Sequence, residues 1–514
     1  MNAEELNQLI GSVLVAGFPS PTVDEHVMRL ITDYHVSNLI FFSRNVENLH
    51  QVKRLTESLK ELAKQNGIEQ LMICIDEENG VVARMPSELP SLPGNMVIGA
   101  AANEDLARQV GNLTGLTLRD AGIMFNLAPV VDVNNNPHNP VIGVRSFGEN
   151  SEFVASLSTA MIEGMQEVGV AACAKHFPGH GDVAQDSHLS LPVVQHDKER
   201  LRQVELLPFR HAIEHQVAAI MTAHILFTSV NEKVPATMCK EVLTDLMRDE
   251  LGFQGVVITD CLEMNAISEV YGVGEGAVQA LLAGADLILV SHRLDRQIEA
   301  IEAIKQAVIE GRLPQERLAE AVHRVKALKM NYAQNPLVKS LEFEQIQQNR
   351  IKLASTIAER AITYLQKGPS LTINEKSLRR IWINSPMSIP TMEASGVRDS
   401  IPLLQETLRQ AYPQCKINSL HDVKEIDGEF NPSTDVIFIW VNGKISDLQN
   451  GLMKELDVQK TPYVVVALRS PYDVEHIQTD HMIFMYEDTP IMLLAAMHAI
   501  FTGKAKGKLP VTIA

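Results

Sequence analysis

An N-terminal (β/α)8 barrel followed by a smaller C-terminal αβα sandwich is the fold class this sequence predicts, and three observations predict it. Up to about residue 330, eight short β-rich runs alternate with longer helical patterns, as a parallel sheet with crossover helices requires. Ionisable residues recur just after those runs, at the carboxyl strand ends where a barrel converges its loops. The rhythm then stops between Asn331 and Arg350, before a second, shorter series of strand-like runs.

The eight runs are Ser12 to Gly17, Asn38 to Phe42, Leu71 to Ile75, Met124 to Asp132, Gly169 to Ala174, Ala218 to Thr222, Gly255 to Thr259 and Asp286 to Val290. Asp76 and Glu77 follow the third, Asp132 and Arg145 the fourth, and Lys175 and His176 the fifth. His224 follows the sixth, Asp260 and Glu263 the seventh, and His292 the eighth. Any one of these alone reads as a solvated loop charge; their joint placement points to a site. Residues 1–335 are therefore assigned to the barrel, and 336–350, after Asn335 and with a polar, Gln-rich run, to a linker. Residues 351–514 form the second domain, with a helix expected over Ile351 to Gln366. Five strands follow there: Arg380 to Asn384, Cys415 to Ser419, Asp435 to Val441, Tyr463 to Leu468 and Met482 to Tyr486. Its charged residues, such as Asp473 and Glu487, form no cluster, which predicts a structural role.

At 514 residues, with 45% hydrophobic and 21% charged, the chain has the composition of a soluble globular protein with a full core. A net charge of -18 argues against nucleic acid or an anionic membrane as the main partner. The five cysteines are odd in number and show no CxxC spacing, which speaks against a disulfide framework. Cys74, Cys173 and Cys261, in or beside apolar runs, read as small buried residues. The start, MNAEELNQLIGSVLVAGFP, carries acidic rather than basic residues before a short apolar run, unlike a signal peptide, and no run has the length of a membrane span. The expectation is a cytoplasmic monomer acting on a small molecule, with a secreted or lipid-anchored form as the alternative.

The chemically densest stretch is KHFPGHGDVAQDSHLSLP, from Lys175 to Pro192. Asp186 and His188 stand two positions apart there, a pairing suited to general acid/base work: the carboxylate raises the imidazole pKa above its free value of about 6.5. Asp260 follows the β-branched run Val256 to Thr259 and so projects from the barrel rim, where it can serve as nucleophile, base or metal ligand. The competing structural reading is a helix cap, and Glu263 is a rival nucleophile. His176, His180, Asp182, Asp186 and His188 are also all ligand types, so a metal-dependent hydrolase that activates water is the second reading. Lys175 beside His176 puts a positive charge where a dication would sit, so neither metal nor cofactor is expected. Asp76, Arg84 and Arg145 complete a set in which carboxylate and cations match the hydroxyls of a pyranose.

With these residues identified, the chain resembles glycoside hydrolase family 3, in its β-N-acetylglucosaminidase branch. KHFPGHGDVAQDSHLSLP is similar to that branch's KHFPGHGDT followed by DSH and LP; DVNNNPHNPVIGVRSFGE, MTAHI, PAT and GVVITDCLEM fall in the family's order. The ending GKLPVTI resembles the second domain of two-domain members. The resemblance implies a retaining exo-β-N-acetylglucosaminidase acting on muropeptides. It makes Asp260 the nucleophile that forms a covalent glycosyl intermediate, His188 the proton donor and later the base, and Asp186 its partner. Asp76, Arg84, Arg145, Lys175 and His176 would hold the non-reducing N-acetylglucosamine. A histidine replaces one of the usual two carboxylates; once deprotonated it is neutral and repels phosphate less, so phosphate is expected to compete with water. The chain departs from the family's IDQEGG-like run with IDEENG, which places Glu77 for glutamine and Asn79 for glycine, and Val183 stands where threonine is usual.

Overall fold

The computed structural model describes residues 2–183, 191–333, 342–371, 373–386, 400–426 and 430–513. Eight parallel strands form one sheet: β1 (Leu14–Ala16), β2 (Asn38–Phe41), β3 (Met72–Ile75), β4 (Phe125–Asn126), β5 (Ala171–Phe177), β6 (Ala219–Thr222), β7 (Val256–Ile258) and β8 (Ile288–Val290). They pair in chain order, and β8 returns to pair with β1. A bridge between Ile258 and Leu287, with a 3.0 Å bond from Thr259 N to Leu287 O, joins β7 to β8 and rounds off the barrel. Most strands are shorter than their predicted runs, and two depart from them in ways that bear on the site. β4 holds two residues of its run, and Pro129, three residues past Asn126, has no N–H to offer a ladder. β5 runs on to Phe177, so Lys175 and His176 belong to the strand itself.

Side-chain alternation divides each strand between two cores. Val15, Ile40, Met72, Cys74, Phe125, Cys173, Met221, Ile258 and Leu289 fill the barrel interior. Their neighbours Leu14, Leu39, Phe41, Ile73, Ile75 and Val257 pack outward under the helices. The helices present apolar faces at the matching period: Leu49–Gln65 buries Val52, Leu55, Leu59 and Ala63, and starts where the Asn48 side chain accepts from Gln51 N. No helix among the described residues is long and apolar enough to cross a membrane.

The second sheet has six strands: β9 (Thr363–Gln366), β10 (Arg380–Asn384), β11 (Lys416–Ser419), β12 (Asp435–Val441), β13 (Val464–Ala467) and β14 (His481–Phe484). Their spatial order is β9-β14-β13-β12-β10-β11, parallel throughout except for β9 at one edge. The helix expected over Ile351 to Gln366 is thus corrected at both ends: it spans Phe343–Ala361, and the β-prone Thr363 and Tyr364 start the antiparallel edge strand. This helix docks on the barrel, where buried Arg350 donates to Pro90 O at 2.6 Å and to Thr117 Oγ1 at 3.3 Å. Glu487 reaches across as well, its Oε2 accepting from Gly94 N at 3.1 Å.

At the opposite end of β8, the fully buried Asp286 carboxylate accepts from Arg248 (2.6 Å), Arg317 (2.8 Å) and Arg324 (3.2 Å), and from Val257 N (3.0 Å). Removing one partner of a buried ion network leaves the others unpaired. Asp286→Ala is expected to lower the free energy of unfolding by about 3–5 kcal/mol in urea titration, with the affinity of the distant cleft for sugars unchanged.

Candidate active site

A cleft of about 720 Å³ opens at the carboxyl ends of the strands, lined from the segments that follow β2, β3, β4, β5, β7 and β8. β5 supplies Lys175 and His176 together. Consecutive residues of a regular strand point to opposite faces, but the β5–β6 register shifts between Lys175 and Phe177, and such an irregularity re-aims side chains. Lys175 Nζ lies 2.7 Å from Asp76 Oδ1 and 2.7 Å from Glu78 Oε1. Glu78 in turn takes a bidentate pair from Arg145, at 2.9 and 2.8 Å. The result is a buried alternation of Asp76, Lys175, Glu78 and Arg145, two anions and two cations, in which Asp76 alone keeps substantial exposure, at 19% of its side chain. Burial pushes the Glu78 pKa up, but Arg145 and Lys175 outweigh it and hold the carboxyl well below the usual range. For Lys175, burial lowers the pKa, and Asp76 and Glu78 more than restore it.

His176 is positioned by Asp132, which is fully buried just past β4. Asp132 Oδ2 stands 2.7 Å from His176 Nδ1; a carboxylate only accepts, so the ring donates from Nδ1. The same carboxylate accepts from the backbone amides of His176 (3.1 Å) and His180 (2.7 Å). Burial raises the Asp132 pKa, and the two histidines bring it below its ordinary value. His180, pushed down to about 4 by burial and by His176, is neutral at physiological pH. The turn that follows needs glycine at 181, where a Cβ would stand 1.7 Å from Val133 O.

Asp260 stands two residues past β7 and lines the cleft, with Oδ1 accepting from Cys261 N at 2.7 Å. It caps no helix: the next one, Asn265–Ser268, begins at Met264. Glu263, the rival, has both carboxylate oxygens engaged by backbone amides, His292 N at 2.6 Å and Arg293 N at 3.0 Å. Arg44, stacked 4.4 Å from the Phe42 ring centroid, donates to Phe18 O, Ser291 O and His292 Nδ1. Guanidinium only donates, so His292 Nδ1 accepts.

The structure therefore brings Asp76, Arg84, Arg145, Lys175, His176 and Asp260 to one cleft. Asp186 and His188 lie outside the described residues. His224 does not line the cleft; it ties two loops together, with Nδ1 2.8 Å from Thr237 Oγ1 and Nε2 3.0 Å from Cys261 O. Cys74 and Cys173 are buried as expected, but Cys261 is corrected: it lines the cleft, and its thiol meets Glu263. Sequence reasoning passed over Glu78 and Arg44. The signal for Glu78 was available, since two buried cations, Lys175 and Arg145, need more carboxylate than Asp76 provides. The departures in IDEENG also find physical reasons. Asn79 has φ +66°, a conformation open to glycine and tolerated by asparagine. Glu77 is buried, accepts from Arg84 N (2.6 Å) and Met85 N (2.9 Å), and feels the Arg350 guanidinium of the second domain.

The model of the glycosyl hydrolase family 3 N-terminal domain matches residues 3–328. β-Hexosaminidase A of Pseudoalteromonas piscicida is 38% identical over 337 residues, which are 61% of this chain and 56% of that protein, so the chain spans little more than half of that relative. A β-hexosaminidase of Hydrogenovibrio crunogenus is 32% identical over 64% of this chain and 93% of its own length. The structure of a glycoside hydrolase family 3 β-N-acetylglucosaminidase from Paenibacillus sp. str. FPU-7 superimposes with a TM-score of 0.88, at 38% identity and over 99% of both chains. A barrel with a carboxylate-bearing cleft at its strand ends is, with these matches, of the glycoside hydrolase class of fold. The chain belongs to glycosyl hydrolase family 3.

Glu78 offers a direct check on the buried alternation. Its folded pKa is depressed, so its contribution is complete above the unfolded value and is lost as pH falls through the folded one. Glu78→Gln is expected to cost about 3–5 kcal/mol of stability at neutral pH. The difference from wild type should persist down to about pH 4.3 and shrink below it, as measured by urea unfolding across pH.

Proposed function

We propose that the protein is a retaining exo-β-N-acetylglucosaminidase that removes non-reducing terminal N-acetylglucosamine, with muropeptides as its natural substrates. The observation that carries this reading is Asp260 at the strand-end rim of a cleft whose depth holds the Asp76–Lys175–Glu78–Arg145 alternation. In such a site the partly exposed Asp76 carboxylate accepts from sugar hydroxyls, while Lys175, Arg145 and Arg84 keep the acidic wall electrically balanced. Asp260 attacks the anomeric carbon, and the bond to the aglycone oxygen breaks as His188 delivers its proton to that oxygen. The glycosyl ester with Asp260 is then opened by water, whose proton returns to His188, and two inversions leave the configuration retained. Asp186 beside His188 favours the protonated imidazole needed at the first step. The hexosaminidase names of the relatives and the β-N-acetylglucosaminidase named in the Paenibacillus structure support the sugar.

The metal-hydrolase reading draws on His176, His180, Asp182, Asp186 and His188, of which Asp186 and His188 lie outside the described residues. Among the described residues, neither His176 nor His180 belongs to a group of three ligand-type side chains close enough to share an ion, and Asp182 does so only with His196 and Glu205, which do not line the cleft.

Asp260→Ala is expected to reduce kcat on an aryl N-acetylglucosaminide by roughly 10⁴-fold or more, with an unchanged circular dichroism spectrum. His188→Ala should cost roughly 10²–10⁴-fold on a muropeptide, and far less on an aryl glycoside whose leaving group needs no proton. Retained turnover in the Asp260 variant would overturn the assignment, and a panel of muropeptide, chitin-oligomer and protein-linked aglycones tests the substrate. Adding phosphate to the same assay checks for N-acetylglucosamine 1-phosphate, the product expected if phosphate takes the place of water.

A further inference from the structure

Asp182, His196 and Glu205 come from three separate segments. Asp182 stands in the turn after β5, His196 two residues past the short strand Val193–Val194, and Glu205 two residues past the helix Lys198–Gln203. One ligand atom from each lies within 4.8 Å of the other two. Asp182 Oδ2 meets His196 Nε2 directly. Glu205 is only 2% exposed. Its Oε1 accepts from Asn135 Nδ2 at 2.9 Å and lies 3.5 Å from Arg200 Nε, whereas its Oε2 has no hydrogen-bond partner. A buried carboxylate oxygen without a donor is costly, so such a group calls for an explanation. Gly179 packs against this same residue: a Cβ there would stand 2.7 Å from Glu205 Cβ.

We propose that Asp182, His196 and Glu205 form a binding site for a divalent transition-metal ion of the zinc class, with water completing its coordination. One imidazole and two carboxylates are a donor set for zinc, and the imidazole favours it over calcium or magnesium. The side chains of Asp182 (22% exposed) and His196 (35%) leave an approach for the ion and for water, while the buried Glu205 carboxylate supplies an inner wall. The other comparable grouping, Cys261, Glu263 and His292, is less suitable. Its carboxylate is taken by two backbone amides, and His292 Nδ1 faces the Arg44 guanidinium. Asp182 and His196 stand in sequence on either side of residues 184–190, which contain Asp186 and His188. An ion held by both therefore joins the two flanks of the segment that carries the proposed acid/base pair, away from the cleft itself.

The test uses the full chain, stripped with a chelator and dialysed, with Zn²⁺ binding followed by calorimetry and Co²⁺ binding by its visible absorption. One equivalent is expected in the wild type, and Zn²⁺ should raise its Tm. His196→Ala and Asp182→Asn should each weaken binding by at least about tenfold and remove the Tm shift, while Cys261→Ser changes neither. Circular dichroism confirms folding, and Asp182→Asn carries the test alone if His196→Ala fails to fold. Absence of binding in the wild type, unchanged affinity in both site variants, or loss of binding in Cys261→Ser would overturn the proposal.

Discussion

The Lys175 ammonium, held at 2.7 Å from both Asp76 and Glu78, is the contact on which the rest of the cleft depends. It is nearly inaccessible to water, and a lone charge at that depth would cost several kcal/mol. Each neighbour is tolerable only because the next has opposite sign, and the series ends where Arg145 grips Glu78 in two bonds. The arrangement explains why the segments after β3 and β4 keep a fixed relation to strand β5. It also leaves one member, Asp76, with unspent hydrogen-bonding capacity on the open side, where a ligand can reach it.

Much of this order was legible in the sequence. The eight strands could be read because each barrel strand is an apolar run, short and bounded by polar loops, and a parallel sheet demands that pattern of its buried strands. Asp76, Lys175, His176 and Asp260 could be read because polar side chains directly after such runs have few places to go, whereas Arg84 and Arg145, further along their loops, are legible only as cations that match a pyranose. The misses have equally local causes. Thr363 to Gln366 was taken into a helix because its pattern is continuous with the amphipathic segment before it, and only pairing with β14 reveals the strand. Arg44 went unnoticed because its function is set by contacts far away in sequence: Phe18, Ser291 and His292. Cys261 was read as core because Val256 to Ile258, just before it, are core; three residues later the chain has left the barrel interior.

Histidine use in this chain shows how little residue type alone decides. His176 presents a ring fixed by Asp132, His180 contributes its backbone amide to the same carboxylate, and His224 joins loops. His196 pairs with Asp182 outside the cleft. What distinguishes them is the acceptor each one meets, and that depends on loops converging from strands far apart in sequence.

Glu77 lies between two cleft residues yet turns away from them, toward the second domain and Arg350. A glutamine at this position, as in IDQEGG, is uncharged and needs no counterion; a buried glutamate does. The substitution therefore makes the strand-end loop that carries Asp76 and Glu78 electrically dependent on a helix some 270 residues further along the chain. In this protein the second domain supplies a counterion to the barrel as well as a neighbour, and the barrel cut free of it would keep the Glu77 carboxylate in its interior with the Arg350 cation gone.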